Sequence, residues 1–224
     1  MPRLPWLLLA LISVACATPD GLRQTARDAR VAGETTEATR LLRLAIARQP
    51  TDSRKDRSEA ADLRRELAGI LLAADEPKEA ERLYREALAL LETGTVSADA
   101  DIINLRTQLA GLCYRQNRLD EAASGYQAVL DLEVAALGEA HPDALGTMSI
   151  LGGLEFKRGR LAEAEALFRR QLAGVRLVFG PEKREISSVL DNLADVLKQK
   201  GRPAEAEAAR AEAARIRKRL CDEC

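Results

Sequence analysis

Three strings decide how this chain folds: Asn117-Arg118-Leu119-Asp120-Glu121-Ala122, Gly159-Arg160-Leu161-Ala162-Glu163-Ala164 and Gly201-Arg202-Pro203-Ala204-Glu205-Ala206. Each begins 42 residues after the one before it. Working outward, the same register continues upstream at Asp75 to Ala80 and Gly33 to Ala38. Four residues past the alanine stands a large side chain in four copies: Leu42, Tyr84, Tyr126 and Phe168. Twelve residues before it stands a small one: Ala26, Ala68, Ala110, Gly152 and Ala194. A fixed period of this length is the mark of a tandem array of supersecondary units.

Each slot has a physical reading. Before the turn, apolar residues recur at helical spacing, as at Leu63, Leu67, Ile70 and Leu71. After it they do so again, as at Ala164, Leu167, Phe168 and Leu172. Gly, Asp or Asn between them ends the first helix in the left-handed conformation. The alanine and the small residue twelve before it mark where two helices cross closely, and a larger group there overpacks. The large residue fills the space one turn further on. Five helix–turn–helix hairpins follow, spanning about 19–60, 61–102, 103–144, 145–186 and 187–220.

This pattern resembles the tetratricopeptide repeat, in its 42-residue kinesin-light-chain form. The linker Leu137-Gly138-Glu139-Ala140-His141-Pro142-Asp143, echoed by Phe179-Gly180-Pro181-Glu182, carries that likeness, as does Pro50 after the first hairpin. The resemblance implies an all-α, right-handed superhelical solenoid with lengthened second helices. It also implies that the first helices line a concave face that holds a protein or peptide. The family's inward positions fall on Arg23, Arg27 and Arg30, then on Arg65 and Gly69. In the third copy they fall on Asn104, Thr107, Gly111, Tyr114 and Arg115, and in the fourth on Ser149, Gly153, Phe156 and Lys157. The last copy gives Asp191, Asp195 and Lys198. Tyr114 and Phe156 are equivalent positions, flanked by Arg115 and Lys157, and suit an acidic or extended peptide. Gly69, Gly111 and Gly153 either clear room for a ligand or permit close helix packing. Where peptide-clamping members carry asparagines, only Asn192 fits. Gln24, Glu66, Gln108 and Ile150 hold the other positions, which favours surface docking over backbone clamping.

The composition agrees. Of the 224 residues, 46% are hydrophobic but only 3% aromatic, so Ala and Leu must build the core. Charged residues make up 31%, yet the net charge is −1, a balance that points to no nucleic-acid partner. The single histidine, His141, sits beside Pro142 in a linker with no nucleophile arranged around it, which reads as a helix-start role. No phosphate loop or metalloprotease motif is present, and no catalytic residue, metal ligand or cofactor is assigned. Arg210 replaces the large residue in the last copy, whose second helix reads as a polar end cap.

Residues 1–15 read as an export signal: Arg3, then an apolar run from Trp6 to Ile12, too short to span a bilayer. Ser13-Val14-Ala15-Cys16 resembles a bacterial lipobox, which implies a lipidated Cys16 and a short tether over 16–18. Ala17 after it implies the periplasmic face of the outer membrane. Cleavage after Ala17, giving a soluble periplasmic or secreted product, is the alternative. Cys221 and Cys224 close the chain over 221–224 as a CxxC, read as a local disulfide. Redox or metal-linked accessory work by that pair, or self-association into an envelope assembly, are the competing functions. Cys113 reads as a small buried hydrophobe.

Overall fold

The computed structural model describes residues 17–93, 100–180 and 184–222. The signal segment 1–15, Cys16, Pro181, Glu182 and Cys224 lie outside them. The chain divides into two compact units, one up to Ser97 and one from Ala98.

The first unit holds two hairpins. α1 (Pro19–Val31) pairs with α2 (Thr35–Arg48), and α3 (Arg54–Ala73) with α4 (Pro77–Glu92). The second holds three: α5 (Ala100–Arg115) with α6 (Leu119–Leu137), α7 (Pro142–Lys157) with α8 (Leu161–Phe179), and α9 (Arg184–Gln199) with α10 (Pro203–Asp222). The described residues contain no strand, and the fold class is the all-α hairpin repeat expected.

The turn works alike in every copy. Gly33, Asp75, Asn117, Gly159 and Gly201 all have φ between 59° and 80°. Each stands where the first helix stops, and the next residue's amide reaches back to close the helix end. Glu34, Glu76, Arg118, Arg160 and Arg202 donate to the carbonyls of Ala29, Leu71, Cys113, Glu155 and Leu197 at 2.8–2.9 Å. One carbonyl near the end of each first helix is thereby satisfied. Asp75 and Asn117 show that a short polar side chain is tolerated where the other copies use glycine.

Helix starts are capped locally. The Thr18 hydroxyl accepts from the Gly21 amide at 3.2 Å. Ser53 and Asp56 form a reciprocal capping box at 3.0 Å each way. His141 caps α7, its Nδ1 accepting from the Asp143 amide at 3.3 Å.

The crossing alanines are sealed: Ala38, Ala80, Ala122 and Ala164 are fully buried. Leu42, Tyr84, Tyr126 and Phe168 are buried beside them, and Cys113 lies in the core. Close approach is met by different residues in different copies. A Cβ on Gly152 would lie 2.8 Å from the Phe168 ring, and one on Gly125 would lie 2.8 Å from the Ala110 methyl. Helix lengthening is uneven. α6 and α8 have 19 residues against 16 for α5 and α7, as expected. In the second hairpin the first helix is the longer, 20 residues against 16. There the capping box at Ser53 starts α3 early.

Candidate functional site

In the first unit three of the four inward arginines are already engaged. Glu66 of α3 receives Arg23 at 2.9 Å and Arg27 at 3.0 Å, both from α1. Burial alone would raise the Glu66 pKa, but the Arg27 and Arg23 hydrogen bonds outweigh it and hold the carboxyl below its ordinary value. Arg65 is likewise committed, to Asp62 at 2.6 Å. Asp62 also lies 3.7 Å from Arg23, so Arg65 shares its carboxylate with the neighbouring hairpin. Arg30 instead borders an open cleft of about 580 Å3, lined by Gly69, Ile70 and Thr35 among others.

The last hairpin is also self-neutralised. Asp191 pairs with Arg217 and Asp195 with Arg210, each at 2.6 Å and each partner from α10. Arg210 occupies the slot that Tyr126 fills two copies earlier, and Asp195 the slot of Gly111. An ion pair thus replaces a tyrosine–glycine contact. Asn192 and Lys198 are exposed on the same helix.

The middle copies differ. On α5, Asn104 is exposed, whereas the Thr107 hydroxyl is spent on the Ile103 carbonyl at 2.8 Å. Tyr114 is exposed, and Arg115 beside it has no carboxylate partner among the described residues. On α7, Ser149 is half-buried and Ile150 is 48% exposed. Phe156 is half-buried and packs partly against the core. Lys157 beside it is exposed. Its Nζ lies 4.6 Å from the Tyr114 ring centroid and also donates to the Tyr114 hydroxyl. Tyr114 and Lys157 thus form an exposed cation–ring pair next to the half-buried Phe156.

The recurrent glycines separate into two cases. A Cβ on Gly69 or Gly153 would meet nothing within 4 Å, so neither is there for helix packing. A Cβ on Gly111 would lie 3.3 Å from the Tyr126 hydroxyl and 4.0 Å from Arg115 Nη1. Tyr126 was legible only as core filler. The overlooked signal was a tyrosine where the neighbouring copy uses phenylalanine, because a buried phenol needs an outlet for its polar tip.

Cys221 lies in the last turn of α10 as an exposed free thiol, and its CxxC partner Cys224 lies outside the described residues. Among the described residues no cluster of His, Cys, Asp and Glu is suited to a metal, and no helix is long and apolar enough to cross a membrane.

Comparison with known proteins supports this architecture. Residues 143–219 match the family described as tetratricopeptide repeat. A putative kinesin light chain with nearly identical TPR-like repeats from Podosopora anserina superposes with a TM-score of 0.70 at 21% identity, covering 89% of this chain and 94% of that one. BtubC (BKLC) from P. vanneervenii gives 0.69 at 21% identity, covering 90% and 80%. YrrB, a TPR protein with an unusual peptide-binding site, gives 0.57 at 15% identity, covering 88% and 84%. At these identities the likeness is one of fold. No curated protein matches the sequence.

Proposed function

We propose that this chain is a non-catalytic, exported adaptor that holds a protein or peptide partner on the first-helix face of its third and fourth hairpins. The observation that carries this reading is the contrast between copies. The first two hairpins and the last pair most of their inward charges internally, Arg30 and Lys198 excepted, while Arg115, Lys157, Tyr114 and Ile150 stand exposed together beside the open position at Gly153. Clustered aromatic and cationic groups at an open surface are the usual anchors of a protein contact. The tetratricopeptide fold is a protein-binding fold, and the peptide-binding site of YrrB, which shares it, supports the same use.

Export and anchoring belong to the same proposal. The lipobox-like Ser13-Val14-Ala15-Cys16 would place a diacylated cysteine one residue before Ala17. The Ala17 carbonyl accepts from Arg48 Nη1 at 2.9 Å, so the tether is pinned to the first hairpin as soon as it begins. An anchored chain would then present its later hairpins to partners at the outer membrane.

Two measurements test this. Mass spectrometry of the mature N-terminus should find diacylglycerol on Cys16; a chain starting at Thr18 refutes the anchor. A photo-crosslinking residue at Ile150 should give a discrete adduct in cells, and one at the exposed Ala173 of α8 should not. Equal crosslinking from both positions refutes the assigned face.

A further inference from the structure

Among the described residues of the second unit, four exposed large hydrophobics gather at the end that carries the linkers between hairpins. They are Leu137, Leu177, Val178 and Phe179, at 47, 78, 44 and 38% exposure. Leu137 ends α6 and Phe179 ends α8. Gly180, at φ 79°, stops α8 directly after the row Leu177-Val178-Phe179, so the row forms the tip of the helix. Arg170 of α8 meets Glu139, two residues past Leu137, at 2.8 Å, which keeps the two helix ends on one side. The repeat does not demand this row: the third copy has Ala135 and Ala136 where the fourth has Leu177 and Val178. A single exposed leucine needs no explanation, but three successive apolar residues beside a fourth make a patch.

Cations stand next to it. Arg176, adjacent to Leu177, reaches Glu212 of α10 at 2.7 Å, so the last turns of α10 lie beside the row. There Arg184 and Ser188 of α9 face Arg217 and Leu220 of α10 across an open cleft of about 600 Å3. Arg217 is paired with Asp191. Arg184, Arg215 and Lys218 are exposed and meet no carboxylate among the described residues. The exposed anions of this end are Glu185, beside Arg184, and Asp143, in the first turn of α7. The cationic excess therefore lies on the α9–α10 side of the row.

We infer that this end of the second unit docks on a phospholipid bilayer with anionic headgroups. Leu177, Val178 and Phe179 enter the interface, and Arg184, Arg215 and Lys218 meet the phosphates. An apolar edge with flanking cations is the pattern of an interfacial membrane contact, where the apolar groups reach the acyl boundary and the cations gain from the surface potential. Leu177 protrudes into solvent and lines no pocket, whereas the anchors of a protein interface sit in packed pockets. The contact needs no acyl group on Cys16 and uses none of the first-helix face, so it stands or falls apart from the adaptor reading.

The test uses the chain from residue 16 onward with Cys16→Ser, so that no acyl group contributes. It is floated with vesicles of phosphatidylethanolamine and phosphatidylglycerol, and with vesicles of phosphatidylcholine alone. The chain should float with the anionic vesicles, and less so at high salt. Leu177→Ser with Val178→Ser should weaken flotation about tenfold or more. Arg184→Gln should weaken it about fivefold, as loss of one cation near an anionic surface does. Ile150→Ser, on the first-helix face, should leave it unchanged. All these side chains are exposed, so circular dichroism melts should match the parent. The only tryptophan, Trp6, lies in the export segment, so Phe179→Trp gives the mature chain one emitter. Its emission should shift to the blue with anionic vesicles. No flotation, or flotation unaltered in the Leu177→Ser, Val178→Ser variant, would overturn the inference. A blue shift that grows with protein concentration in the absence of vesicles would assign the row to a second copy and overturn it too.

Discussion

Adjacent glycines on α7 should respond to the same substitution with opposite signs. A methyl added at Gly152 would lie 2.8, 2.9 and 3.2 Å from three atoms of the Phe168 ring, which is itself 2% exposed. Overpacking of this kind costs about 1–3 kcal/mol. The better helix propensity of alanine returns about 1 kcal/mol, leaving Gly152→Ala destabilised by roughly 1 kcal/mol. At Gly153 the added methyl meets nothing within 4 Å, so only the propensity gain remains and the variant should be up to about 1 kcal/mol more stable. The two single variants should thus differ by about 2 kcal/mol. For a unit of this size, 1 kcal/mol shifts the melting temperature by about 3–5 °C, so thermal melts followed by circular dichroism should separate them by about 6–10 °C. Shifts of the same sign in both variants would refute the claim that Gly152 serves packing and Gly153 serves an open face.

Two further perturbations probe the charge networks. Glu165 of α8 is bound by Lys200 at 2.6 Å, Arg169 at 2.8 Å and Arg202 at 2.8 Å; Lys200 foremost, against the cost of burial, lowers its pKa from 4.5 to about 2. A depressed carboxyl stabilises the fold fully above its unfolded value, so about 2 kcal/mol should be lost as the pH falls from 4.5 towards 2. Chemical denaturation across that range should show the loss, and a Glu165→Gln variant with the same slope would contradict it. Glu155 occupies a slot that holds Leu71 in the second copy and Leu197 in the last, and it is buried against Arg158 at 2.6 Å. Glu155→Ala alone should cost about 3 kcal/mol, because it leaves a buried guanidinium with only Asp120. The double change Glu155→Leu with Arg158→Ala, which copies Leu71 and Ala74 of the second hairpin, should restore most of that stability; a double variant no better than the single one would argue against the slot equivalence.

What the sequence determined by itself was everything that a periodic constraint imposes. Alanine at the helix crossing, a left-handed residue at the turn and a large side chain one turn on are demanded by backbone geometry and packing, and these demands recur every 42 residues. They are local to one hairpin, so spacing alone reveals them. Even the helix-start role of His141 follows from its neighbour Pro142. What only the tertiary structure decided was the state of each side chain on the inward face. Whether an arginine is free or spent depends on what the next hairpin brings alongside it. Arg27 and Glu66 are 39 residues apart, Asp191 and Arg217 are 26 apart, and neither separation is visible as a motif. Long charged side chains choose among several partners within reach, and three-dimensional distance sets that choice. The same holds for the glycines: 69, 111 and 153 look identical in the repeat, and only the reach of Tyr126 distinguishes the middle one. The period fixed where the first helices lie, and the packing between hairpins decided which of their charges are already paired.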